Sequence, residues 1–180
     1  MHKFRHQEEH TFWPLVAIFS LLAILFILAL SYAKPFPTSQ SNCELPPSSG
    51  VNWSNCLKPQ VDLENVVLNG AQLRNSQLVG ANLMNANLSG TDLAYADLRF
   101  ANLSYSQLVD VNLLGANLKD TDLSYADLSN ADLSYANLSN ANLGGSNLNN
   151  VRFDHAIWID GQVCAPNSIG ECVFSNAQRP

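Results

Sequence analysis

Basic residues are scarce in this 180-residue chain, with nine Lys and Arg against fifteen Asp and Glu, a formal charge of −6 and a sequence pI near 5.0. No basic stripe appears, which argues against phosphate-backbone binding as its main business and leaves nucleic acid off the list of expected partners. An acidic surface of this kind keeps a protein soluble. Histidine is nearly absent beyond the first ten residues, where His2, His6 and His10 stand beside Glu8 and Glu9 as a solvated tail; His155 is the exception. No Ser/His/Asp set and no Gly-rich phosphate loop can be assembled, so neither catalysis nor a cofactor is expected. The aspartates lack the Gly and oxygen-ligand spacing of a calcium loop, and no metal site is expected.

One stretch carries no charge at all. From Thr11 to Ala33 the chain is uncharged, and Leu15 to Leu30 is apolar apart from Ser20. That length suits one helix across a hydrocarbon core of about 30 Å. Phe12, Trp13 and Tyr32 stand where interfacial aromatics are expected, and Lys3 and Arg5 favour a cytoplasmic N-terminus. The expectation is a single-pass protein of a bacterial inner membrane, with a cytoplasmic tail 1–10, a transmembrane helix 11–33 and everything after Lys34 exported to the periplasm. The small-x-small triplet Ser31-Tyr32-Ala33 keeps a cleaved signal peptide open, which would leave a soluble periplasmic protein. The long apolar run and Pro35 speak for an uncleaved anchor.

Residues 34–60 form a linker and N-terminal cap. Pro35, Pro37, Pro46 and Pro47 with four serines make its first half an extended spacer. Four cysteines allow three connectivities. The local one, Cys43–Cys56 with Cys164–Cys172, is expected because the intervening domain separates the two pairs. A metal site is the rival reading, but neither pair has the spacing of a zinc knuckle. Paired cysteines and export support each other.

Residues 61–160 are written in fives. A leucine recurs from Leu63 through Leu148 and gives way to Phe153 and Trp158; two residues before each stands a small or β-branched residue, with Asp or Asn in between in most repeats. A period of five fits neither a helix nor a plain strand. It fits a short extended piece, with the small residue and leucine facing inward and Asp or Asn outward, followed by two turn residues. Repetition of that motion coils the backbone around a leucine core as an all-β solenoid.

The A(D/N)Lxx pattern resembles the pentapeptide-repeat family over about twenty fives. The resemblance implies a right-handed quadrilateral parallel β-helix of about five coils, one coil per four repeats. Residues twenty apart then stack, placing Tyr105 over Tyr125 and diluting each outward Asp with Asn, Gln or Arg above and below. The tyrosines 95, 105, 125 and 135 are candidates for binding ridges, although stacking among themselves is the simpler role. The segment 161–180, with Cys164 and Cys172, looks like the capping tail of exported family members. Ile157 occupies a slot that is Asp or Asn in most other repeats, so the last coil presents apolar surface there. With Phe153 and Trp158 in leucine positions and Ile159 beside them, these residues serve either the cap or a homodimer contact at the C-terminal end. The function implied is a non-enzymatic scaffold that binds an unknown protein partner. The alternative, drawn from cytosolic relatives, is an acidic rod that mimics DNA and binds a topoisomerase such as DNA gyrase. The export segment disfavours it.

Overall fold

The computed structural model describes residues 41–175. The expectations for the tail 1–10, the transmembrane helix 11–33 and the first part of the spacer, 34–40, lie outside the described residues, as do residues 176–180. Among the described residues no helix is long and apolar enough to cross a membrane.

Single parallel bridges join each outward residue to the one twenty positions later, from Asn52↔Gln72 to Asn137↔Ile157. They form four ladders. Face A runs through Asn52, Gln72, Asp92, Asn112, Asp132 and Arg152, and face B through Leu57, Gln77, Asp97, Asn117, Asn137 and Ile157. Face C follows Asp62, Asn82, Asn102, Asp122 and Asn142, and face D follows Val67, Asn87, Gln107, Asp127 and Asn147. Each face holds one bridged residue rather than a strand of several, because two of every five residues are spent on a corner.

The corners explain the fifth position. The N–H after each corner returns to the leucine carbonyl before it, as in Ala71 N to Leu68 O at 3.0 Å. The fifth residue of the repeat has φ near +60°, for example Asn85 at 57° and Tyr125 at 57°. A left-handed residue at the third turn position is the mark of a type II turn, which suits Gly and Asn. The outward Asp or Asn does more than face water. Its Oδ1 accepts the N–H two residues on, as Asp132 does from Ser134 at 3.0 Å, and this local turn starts the corner.

The core is a column of leucines, from Leu63 at 2% exposure through Leu138 at 0%. The small inward slot is alanine in most coils; where it is Thr or Ser the hydroxyl returns to backbone, as Thr121 Oγ1 does to Leu98 O at 2.9 Å. Ser76 Oγ has no such partner.

The ladders begin at Asn52, ahead of the expected boundary at Val61. Residues 51–60 therefore belong to the first coil and not to a separate cap. Trp53 fills the first leucine slot at 1% exposure and Cys56 the next small slot at 0%. Lys58 occupies the second leucine slot; its ammonium lies 4.0 Å from the centre of the Trp53 ring and donates to Cys43 O at 2.8 Å. At the other end the chain reverses after Asp160. Val163 pairs antiparallel with Ile157, and Ile169 with Arg152. This return covers faces A and B, while on faces C and D the last leucines, Leu143 and Leu148, are only partly buried.

Candidate functional surface

Both ends are stapled. Cys43 is bonded to Cys56 with their Cα atoms 5.5 Å apart, and Cys164 to Cys172 at 5.1 Å. Phe153 is fully buried and meets Trp158 edge-on, with ring centres 5.0 Å apart at 83°. Ile157 is half-buried beneath the returning segment through its bridge to Val163. Of the four apolar residues that sequence offered for the cap or a dimer, Phe153, Ile157 and Trp158 are buried or half-buried and paired with the returning segment, and Ile159 is left 39% exposed.

The sides are polar ladders with a direction. Where an outward Asp is followed one coil later by Asn, the amide donates back to it: Asn82 to Asp62 at 3.1 Å, Asn112 to Asp92 at 3.0 Å, Asn142 to Asp122 at 3.1 Å and Asn147 to Asp127 at 2.9 Å. Asp132 instead receives Arg152 at 3.4 Å. Asp97 turns to Arg99, whose guanidinium reaches it at 2.8 Å; that hydrogen bond holds the Asp97 carboxyl below its ordinary pKa against the opposing effect of burial. Asp127 is lowered too, chiefly by the Ser129 hydroxyl, with help from the Ser129 N–H and against a small burial effect. These carboxylates are already engaged by turns and amides, so their lone pairs stabilise the coil. Among the described residues no group of three or more His, Cys, Asp or Glu converges in a way that could hold a metal ion.

Aromatic residues stand at the corners. Tyr105 and Tyr125 stack with centroids 5.0 Å apart and planes 9° from parallel. Tyr135 stacks on His155 at 5.0 Å and 24°. Tyr95 lies 5.1 Å below the Arg74 guanidinium and against Gly115, where an added Cβ would come within 2.7 Å of its ring. The glycine at 145 receives Tyr125 in the same way. These tyrosines pair among themselves, with an arginine, or with a glycine one coil on. A shallow groove of about 250 Å³ opens where the Tyr135–His155 pair meets the cap at Pro166 and Asn167. Its cation, Arg152, is held by Asp132 and, at 3.2 Å, by Asp154.

Charge is distributed unevenly. Lys58, Arg74, Arg99, Lys119 and Arg152 all fall on faces A and B or the corners that follow them, whereas faces C and D with their corners carry Asp62, Glu64, Asp110, Asp122 and Asp127 and no cation. Sequence reasoning missed this segregation, although the twenty-residue stacking rule contains it.

The repeat, its four ladders and its type II corners decide the family. A family model for pentapeptide repeats matches in eight copies, with overlapping matches from residue 49 to residue 150. The chain belongs to the pentapeptide repeat family. Its fold is accordingly the right-handed quadrilateral β-helix. Among solved structures it is similar to a pentapeptide repeat protein, Rfr23, of the cyanobacterium Cyanothece 51142, at 26% identity and TM-score 0.52, covering 59% of this chain and 90% of that one. It is also similar to a pentapeptide repeat protein of the Arabidopsis thaliana thylakoid lumen at 22% identity and TM-score 0.44, covering 79% of this chain and 93% of that one. HetL of Nostoc, a pentapeptide repeat protein involved in heterocyst differentiation regulation, matches at 29% identity and TM-score 0.38 over 63% of this chain and 70% of its own. A comparison with curated proteins found no match.

Proposed function

We propose that this protein is a non-enzymatic scaffold whose solenoid surface binds another protein on the periplasmic side of a bacterial inner membrane, tethered there by residues 11–33. The observation that carries the reading is the pair of disulfides at the two ends of the solenoid, with no free cysteine left in the chain. Disulfides persist in oxidising compartments, and the uncharged stretch from Thr11 to Ala33 supplies the route there. The surface fits binding better than turnover: it offers long polar ladders and aromatic corners, and its carboxylates are bound up in the coil.

A reporter that is active only after export, fused behind Pro180, tests the sidedness. Periplasmic activity supports the proposal. A cytoplasmic readout would sink it and favour the acidic-rod reading, in which the partner is a topoisomerase such as DNA gyrase. Whether the segment near Ala33 is cleaved is read from the N-terminus of the mature protein, and either result leaves the repeat domain on the same side. A homodimer through the C-terminal end would use the apolar residues exposed there, Ile159 with Val163, Ile169 and Val173.

A further inference from the structure

The corner between faces B and C breaks the rules that the rest of the solenoid keeps. Phe100 sits at a fifth position with φ 60° and is 60% exposed. A bulky residue in the left-handed region is an outlier that costs stability. Tyr95, Tyr105, Tyr125 and Tyr135 offset that cost with a ring, a guanidinium or a glycine against them. Phe100 has no ring or cation contact among the described residues; the residue one coil on is Asp120.

The same corner carries a second violation. Arg99 and Lys119 are vertical neighbours one coil apart, joined through the Phe100 N–H to Lys119 O bond at 3.2 Å. Nowhere else in residues 51–160 do two cations stack in one column. The outward ladders avoid acidic neighbours throughout, so this like-charge pair goes against the design of the surface. Arg99 is held by Asp97 at 2.8 Å, while Lys119 makes no ion pair within the described residues. Local rules are broken where a structure serves function rather than its own stability.

We propose that Phe100, with Lys119 and Arg99, is the anchor of the protein-interaction surface, and that it takes an acidic segment of the partner bearing an apolar side chain. The apolar ring supplies buried area in the complex, and the Lys119 ammonium, which makes no ion pair among the described residues, selects carboxylates beside the Asp97-held Arg99. The proposal rests on the scaffold reading and names the partner's chemistry. Faces C and D carry acids and no cation, which disfavours the same partner along them.

The test places a photo-crosslinking phenylalanine analogue at position 100, and separately at positions 67 and 125 as exposed controls, in the full-length protein in its own cells. Adducts are mapped to the residue on the partner. The expected result is an adduct from position 100 on an Asp- or Glu-rich segment, reduced at least tenfold by Lys119→Glu. Phe100→Gly, which suits the left-handed backbone, is expected to leave the thermal midpoint unchanged or raised while co-purification of that partner falls at least tenfold. A purely structural Phe100 would instead lower the midpoint with Gly in place and leave the partner bound. An adduct from position 100 on lipid or on a basic segment, or one insensitive to Lys119→Glu, overturns the proposal. An adduct from position 125 alone also overturns it and leaves the scaffold reading standing. No adduct from any position counts against both.

Discussion

Gly115 and Gly90 have nearly the same backbone, with φ +64 and +66, but different surroundings. An alanine at 90 would meet nothing within 4 Å, whereas an alanine at 115 would place its Cβ 2.7 and 2.8 Å from two carbons of the Tyr95 ring. Either change puts a Cβ into the left-handed region, which costs about 1 kcal/mol. At 115 the ring must also move from beneath Arg74, which lies 5.1 Å from its centre, and an exposed cation–π contact contributes roughly 0.5–1 kcal/mol. Gly90→Ala should therefore destabilise by about 1 kcal/mol and Gly115→Ala by about 2 kcal/mol. In a Tyr95→Ala background the cost of Gly115→Ala should fall to that of Gly90→Ala. Urea denaturation followed by circular dichroism gives all four values, and the double-mutant cycle isolates the contact. Equal costs for the two glycines, or additivity with Tyr95→Ala, would refute the idea that the corner tyrosines pack on the glycines of the next coil.

Other expectations follow from the same coils. Ser76→Ala should stabilise by about 1 kcal/mol in the same denaturation assay, because it removes a buried hydroxyl that has no partner and leaves the residue most coils carry there. Thr121→Ala serves as its opposite, losing a hydroxyl that is bonded to Leu98 O. Asn142→Asp keeps the bond from the Gly144 N–H but replaces an amide donor over Asp122 with a carboxylate, and should cost about 0.5–1 kcal/mol, shrinking in high salt. The Asp127 carboxyl titrates below its unfolded value, so its contribution is present above the ordinary carboxylate range and is lost as pH falls through the folded value. Ser129→Ala removes the largest cause of that shift, so NMR titration should find Asp127 moved up towards the ordinary value and the acid-side loss of stability reduced.

Register was the most legible property of this chain. Leu63 to Leu148 mark the coils, and a twenty-residue turn alone pairs Tyr105 with Tyr125 and Asn142 with Asp122, as the structure has them. The first coil was hidden because its slots are filled by Trp53, Cys56 and Lys58, which close an end and so depart from the repeat. The left-handed corners were hidden for a different reason: Asn and Gly announce a positive φ, but Tyr and Phe do not, and only the stacking partner one coil away explains them. The outward aspartates looked like plain surface because their role in the local turn depends on a backbone direction that composition does not carry. Half a coil is missing at the C-terminal end because the return after Asp160 is set by antiparallel pairing with Arg152 and Ile157, which a parallel repeat pattern cannot foretell.

The central claim is a disulfide-stapled solenoid working outside the reducing cytoplasm. Thiol labelling of the protein taken from its own cells, denatured without reduction, tests it most directly. The account predicts no reactive thiol, since Cys43 is joined to Cys56 and Cys164 to Cys172. Four reactive thiols would contradict both the staples and the exported location.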